Sequence, residues 1–268
     1  MSARGRPFLL TVDVESEWEQ GTATGVREHL PRLIALFEER GIRATLFCTG
    51  EVVRSCREVL APIPARHELA CHADTHVPFS RLPPDAVRDE IRRGKAEVES
   101  LGRGCAGFRA PYFYMTPAIL RMVASAGFRY DSSWASFAPH AGYMNLLRSK
   151  RPVVLADPPI VEIPVPDATP VRIPWGLSWF RVFHPLSRAF LLRTPHLLYL
   201  HCDEFLERGP DAAFGRAARW AMNRNRGRKA WDLLVRLLDV LAARGARFVT
   251  CSEYVAGLPA AGRPAPRR

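Results

Sequence analysis

Residues 8–15 read FLLTVDVE, a short apolar run that ends on two carboxylates, Asp13 and Glu15. A brief, largely apolar run of this kind is the signature of a strand buried on both faces. Seven further runs share it: ATLFC (44–48), ELACH (68–72), GFRAP (107–111), FRYDSS (128–133), VEIPV (161–165), LLYLH (197–201) and RFVTC (247–251). Helical spacing fills the gaps between them. Leu30, Leu33, Ile34 and Phe37 recur along one helix face, and Gly41 is a plausible stop. The stretch PPDAVRDEIRRGKAEVESLG opens on Pro and Asp and ends at Gly102, and TPAILRMVASAG and KAWDLLVRLLDVLAARG follow the same scheme. Strands alternating with helices predict a parallel sheet with right-handed crossovers. Eight candidate strands favour a closed or nearly closed single-domain barrel over 1–256, with GLPAAGRPAPRR (257–268) as a disordered tail.

The polar residues are more informative than the alternation. Asp13 and Glu15 follow the first run, His72 and His76 the third, Arg109 and Tyr112 the fourth; Asp131 lies in the fifth and His201 ends the seventh. In a β/α barrel these are all C-terminal strand ends, which converge on the face where such folds build active sites. Two histidines and a carboxylate form a set suited to a divalent ion with positions open for water and substrate. A second carboxylate can then act as base, His201 as proton donor, and an arginine can hold the base ionised. Asp131, just before Ser132 and Ser133, also suits a plain capping role. Glu204 reads equally as a substrate contact or as a surface carboxylate beside Arg208.

The chain has 268 residues, 47% of them hydrophobic, enough for one sizeable core, and no eighteen-residue apolar window that would span a membrane. Its first residues carry no pattern of a secretory signal, so a cytoplasmic location is expected. The six cysteines are dispersed without a CxxC pair, which argues for reduced thiols and against a thiolate zinc site. The net charge of +11 favours anionic partners, although arginine-rich composition accounts for much of it. The basic run NRNRGRK (223–229) comes with no groove-reading or base-stacking module, so no nucleic-acid partner is expected. Residues 171–195 interleave aromatics with arginines, which fits either peripheral membrane contact or a long loop whose aromatics pack inward.

The ordered set TVDVE (11–15), HADTH (72–76), RAPY (109–112), DSS (131–133) and YLHCDEF (199–205) resembles the polysaccharide deacetylases, also called NodB-homology or carbohydrate esterase family 4 enzymes. That resemblance implies a distorted (β/α) barrel of seven to eight parallel strands. It also implies Asp13 as general base, and Glu15, His72 and His76 as ligands of one divalent ion, Zn2+ foremost, with Co2+, Ni2+, Mn2+ and Fe2+ as alternatives. Arg109 would brace Asp13, the Tyr112 backbone N–H would join the metal in stabilising the oxyanion, His201 would be the general acid, and Asp131 would position it. The implied reaction removes an N-acetyl or N-formyl group from an amino sugar.

Three departures stand out. The carboxylates are spaced Asp-x-Glu where adjacent aspartates are commoner, Ala73 replaces the usual Ser or Thr, and YLH stands where LxH is usual. The Asp-x-Glu spacing and the stretch GTATGV (21–26) resemble a subgroup that includes deformylases of lipid-linked aminosugars. A phosphate- or lipid-linked substrate at the inner face of the membrane is one option this opens. An allantoinase-like hydrolase of a non-sugar amide is another. A non-catalytic glycan- or lipid-binding barrel is the alternative from a different class.

Overall fold

The computed structural model of the chain describes residues 5–17, 21–135, 149–167, 174–185, 195–209 and 216–258. The opening run forms β1 (Arg6–Val14), and from Leu9 to Val14 every residue is buried. Its side chains alternate between two cores. Leu10, Val12 and Val14 face the helices, whereas Leu9 packs in the barrel interior with Phe47, Ala70, Tyr130 and Tyr199. Asp13 shares that inward parity and sits at the end of the row.

The remaining strands are β2 (Ala44–Cys48), β3 (Glu68–Cys71), β4 (Gly107–Phe108), β5 (Tyr130–Asp131), β6 (Val153–Val154), β7 (Val161–Glu162), β8 (Leu197–His201) and β9 (Ala246–Phe248). They form one curled sheet in the order β6-β7-β5-β4-β3-β2-β1-β8, with β9 on the first residues of β1. Every ladder is parallel except β6–β7. The β8 edge approaches the far side of the sheet through single bridges, Gly176 to Tyr199 and Asp167 to Pro174, so the barrel is distorted and incompletely laddered there. Antiparallel β6 is an addition that the sequence pattern does not announce. Five strands, β3, β4, β5, β7 and β9, are also shorter than the runs that announce them. After Phe108 the chain enters Pro111, which has no N–H to give a ladder, and then Tyr112 in the left-handed region at φ 55°.

Helices cover the outer face: α1 (Thr24–Glu39), α2 (Gly50–Ser55), α3 (Arg57–Leu60), α4 (Pro84–Glu99), α5 (Pro117–Ser125), α6 (Leu177–Val182), α7 (Arg216–Asn223), α8 (Arg228–Ala243) and α9 (Cys251–Ala256). Val26, Leu30, Leu33, Ile34 and Phe37 make up the buried stripe of α1, as their spacing predicts. Gly41 and Gly102 follow α1 and α4 at φ 63° and 76°, the left-handed stop that only glycine adopts without steric cost. The GTATGV turn is held by Glu17, whose carboxylate accepts from Thr22 Oγ1 and from the backbone N–H groups of Thr24 and Gly25, a charged cap on α1.

Of the aromatic-rich segment 171–195, the described part turns inward: Trp175 and Phe180 are fully buried and pack edge to face at 5.0 Å. Arg172, Arg188, Phe190 and Arg193 of that segment lie outside the described residues, as does the tail from 259. No helix among the described residues is long and apolar enough to cross a membrane. All six cysteines are buried as free thiols, and burial pushes the Cys251 thiol up to about 12.

Candidate active site

The strand register brings the site together. In the parallel pair β1–β8, Asp13 stands directly opposite His201. Asp13 is 2% exposed. Its Oδ1 accepts from Arg109 Nη1 at 2.5 Å, and its Oδ2 lies 3.8 Å from His201 Nε2. One carboxylate oxygen is thus tied down while the other faces the cleft.

Glu15, one residue beyond β1, meets the two histidines of the HADTH loop. Its Oε2 lies 3.1 Å from His72 Nε2 and 2.8 Å from His76 Nε2. Burial alone would raise the Glu15 carboxyl. The charge of His76 and the hydrogen bonds from His72 and His76 outweigh it and hold the group well below the usual carboxylate range. The donor atoms of Glu15, His72 and His76 all lie within 4.8 Å of one another. Ligand atoms about 2.0–2.2 Å from a shared Zn2+ sit roughly 3–4 Å apart, so this cluster fits a single ion. A further contact prepares it: His72 Nδ1 lies 2.8 Å from the carbonyl oxygen of Arg109. In a ring that ligates an ion, that acceptor would hold the proton on Nδ1 and leave the Nε2 lone pair for the metal, the arrangement typical of metal-ligating histidines.

The loop that carries both histidines is fixed from below. Ala73 adopts φ 65°, and Thr75 is bound by Glu90 through both its N–H and its hydroxyl. Asp74 pairs with Arg54 and Arg93. Helix α4 presses Gly94 against this turn so closely that a Cβ there would lie 2.3 Å from the Ala73 carbonyl. Gly94→Ala is therefore expected to displace the loop. Its cost is about 1–3 kcal/mol by overpacking, read by thermal denaturation, together with weakened Zn2+ binding in isothermal titration.

The DSS motif holds the RAPY turn. Asp131 Oδ1 accepts from Ser133 Oγ at 2.7 Å, and that hydroxyl in turn accepts the Ala110 N–H at 2.8 Å. Ser132 Oγ accepts from Arg109 Nη2 and donates to the Ile163 carbonyl. The hydrogen bonds of Asp131 to Ser133 thus cap and brace the turn, the plain role its sequence position also suits. Burial raises the Asp131 carboxyl, against opposing hydrogen bonds from Glu162 and Ser133.

His201 is met by Glu204. Its Oε1 lies 3.3 Å from His201 Nδ1 and accepts the His201 backbone N–H at 3.1 Å. Glu204 is 1% exposed and pairs with equally buried Arg181, so it is not a surface carboxylate beside Arg208. Burial by itself would lower His201. Its bond to Glu204 and the charges of Glu15 and Asp13 reverse this and push it up to about 10. The sequence marked Glu204 only as a possible substrate contact within YLHCDEF and Ser132 only as part of DSS, and it assigned no site role to Arg181 or Trp179.

These groups line a cleft of about 250 Å³. Asp13, Glu15, His72, His76, His201 and Glu204 form its polar floor, while Tyr112, Phe113, Trp179 and Tyr199 form apolar walls. The Tyr112 ring lies over His76 at 4.6 Å.

Fold and site together define a parallel α/β barrel whose strand ends carry a metal-type ligand set beside an aspartate–arginine pair. Residues 3–130 match the family model of the polysaccharide deacetylases. No curated protein matches the chain. Among solved structures, it is similar to a protein classed as a polysaccharide deacetylase from Mycobacterium smegmatis. The two share 20% identity and a TM-score of 0.65, over 100% of this chain and 96% of that one. It is also similar to a peptidoglycan N-acetylglucosamine deacetylase solved with a hydroxamate-type ligand (14% identity, TM-score 0.54, 93% and 89% covered). A third is a carbohydrate esterase family 4 pseudoenzyme from Bacillus anthracis (13% identity, TM-score 0.52, 94% and 66% covered). These likenesses establish the NodB-type barrel. The last shows that the barrel alone does not decide catalysis.

Proposed function

We propose that the protein is a metal-dependent amidohydrolase that removes an N-acetyl or N-formyl group from an amino sugar. The single observation that carries this reading is the meeting of Asp13 and His201 beside the Glu15–His72–His76 cluster in one cleft, with Arg109 buried beneath Asp13 and bonded to it. A barrel kept only for binding has no need of all three beside a ligand set.

An ion held by Glu15, His72 and His76 would supply Lewis-acid polarisation of the amide carbonyl and a more acidic water. The chain's own residues do the rest. Asp13, with Oδ1 held by Arg109, takes the proton of the attacking water on Oδ2. The backbone N–H of Tyr112 serves as a donor to the developing oxyanion. A non-glycine residue at φ 55° carries backbone strain of the kind that collects at functional turns. His201, charged at neutral pH, gives its Nε2 proton to the leaving amine. The aromatic walls suit the apolar face of a sugar ring. The Asp-x-Glu spacing and the net charge of +11 favour a phosphate-bearing or lipid-linked acceptor over a neutral polymer.

The test is metal analysis of the purified protein, followed by acetate and formate release from N-acylated sugar nucleotides, lipid-linked sugars and chitooligosaccharides. One divalent ion per chain and release from at least one amino-sugar donor are expected. His72→Ala is expected to lose both the metal and the activity. Full metal content in His72→Ala would remove the proposed ligand set. Release only from ureides or other non-sugar amides would replace the substrate class.

A further inference from the structure

Glu204 and Arg181 form a buried ion pair, with Nε to Oε2 at 2.8 Å and both side chains almost wholly excluded from water. Such pairs cost desolvation and add little net stability, so a precisely built one calls for another reason. Here the pair is tied to groups beyond itself on both sides. Arg181 Nη1 donates to the carbonyls of Met222 and Arg224 at 2.9 and 2.7 Å, which anchors the guanidinium to the C-terminal end of α7. Its Nε holds Glu204 Oε2, and Glu204 Oε1 is left for His201, backbone N–H and Nδ1 alike.

The imidazole therefore has each nitrogen assigned. Nδ1 faces Glu204, and Nε2 faces Asp13 Oδ2 across the cleft. Without the carboxylate, rotation about the Cβ–Cγ bond would exchange ring atoms with little penalty. The turn that bears Glu204 is itself pressed against α1: a Cβ on Gly25 would come within 2.9 Å of the Asp203 backbone. Glu204 therefore sits on a rigid support from two directions.

We infer that Glu204 is the positioning residue of His201, held in place by Arg181, and that it fixes Nε2 as the ring atom presented to the leaving amine. A base or acid oriented by a third, buried group is the general logic of catalytic triads, where neutralising the third group costs orders of magnitude in turnover with the geometry intact. Arg181 lies two residues from Trp179, which walls the cleft, so the same side chain ties the substrate wall to the proton donor. The inference rests on the reading of His201 as proton donor.

The experiment uses the Zn2+-loaded full-length protein and two readouts. The first is acetate release from an N-acetylated chitooligosaccharide or whichever donor the release screen identifies. The second is the histidine-ring 15N spectrum, with His201 assigned by His201→Gln. In Glu204→Gln, kcat is expected to fall at least 100-fold with KM within threefold and Zn2+ content unchanged, and the His201 ring signals are expected to move. Should that variant fold poorly, Arg181→Gln/Glu204→Gln replaces the ion pair by two amides and is expected to show the same loss. A folded variant with kcat within threefold of the parent, or with unshifted His201 ring signals, overturns the inference. If the parent protein releases acyl groups from no donor, the proposed function fails, and the ring spectrum alone decides the role of Glu204.

Discussion

Asp13→Asn is expected to abolish turnover while leaving metal content close to that of the unmodified protein. The prediction follows from a division of labour between two carboxylates two residues apart. Glu15 carries the contacts to His72 and His76, and Asp13 carries none of them. Asparagine fills the same volume and still accepts from Arg109, so the cleft keeps its shape. What it lacks is basicity at the oxygen that faces His201. Removing a positioned base costs about 10²–10⁴-fold in rate, and an uncompensated Arg109 buried beneath the cleft adds to that. The check is kcat for acyl release beside metal content by elemental analysis. Loss of the metal in Asp13→Asn would show that Asp13 is a ligand and that the roles of Asp13 and Glu15 have been exchanged.

Much of this site was legible because it sits where strands end. FLLTVDVE shows its strand by its apolar run and its chemistry by where that run stops. The same holds for LLYLH, whose register with β1 sets His201 opposite Asp13. Helix stops at Gly41 and Gly102 were legible for an equally local reason, the left-handed backbone that glycine alone tolerates. What could not be read depends on partners distant in sequence. Glu204 looks like an ordinary surface acid until Arg181, twenty-three residues earlier, is seen to bury it. Asp131 was matched to His201 by resemblance, and in the fold its carboxylate accepts from Ser133, whose hydroxyl in turn accepts from the RAPY turn. The β6 strand has only two residues and pairs antiparallel at the sheet edge, too little for any periodic signal. Residues 136–148, which precede it in sequence, lie outside the described residues.

Arg109→Met is expected to produce the largest loss of stability of any single change in the site, about 3–5 kcal/mol. The side chain has no exposure and fills the top of the barrel interior, its guanidinium 4.1 Å from the Phe47 ring centroid. Its donors join β1 to the end of β5: Nη1 to Asp13 and Thr11, Nε to the Ser132 carbonyl, Nη2 to the Ser132 hydroxyl. Methionine replaces the volume but leaves the Asp13 carboxylate buried beside an apolar group. Stranding one partner of a buried pair is the costly event, more than losing the attraction itself. At roughly 2–4 °C per kcal/mol for a chain of this size, the melting temperature should fall by about 10 °C. Arg109→Lys should recover only part of that, because a point charge on a flexible stem cannot reach Asp13, Thr11 and Ser132 together. The decisive comparison is Asp13→Asn/Arg109→Met, which removes the stranded charge as well as its partner. It is expected to be more stable than Arg109→Met alone, with a coupling energy of about 1–3 kcal/mol between the two positions. Additive losses in that cycle would mean that Arg109 supports the barrel through Thr11, Ser132 and Phe47, and that its bond to Asp13 serves orientation alone.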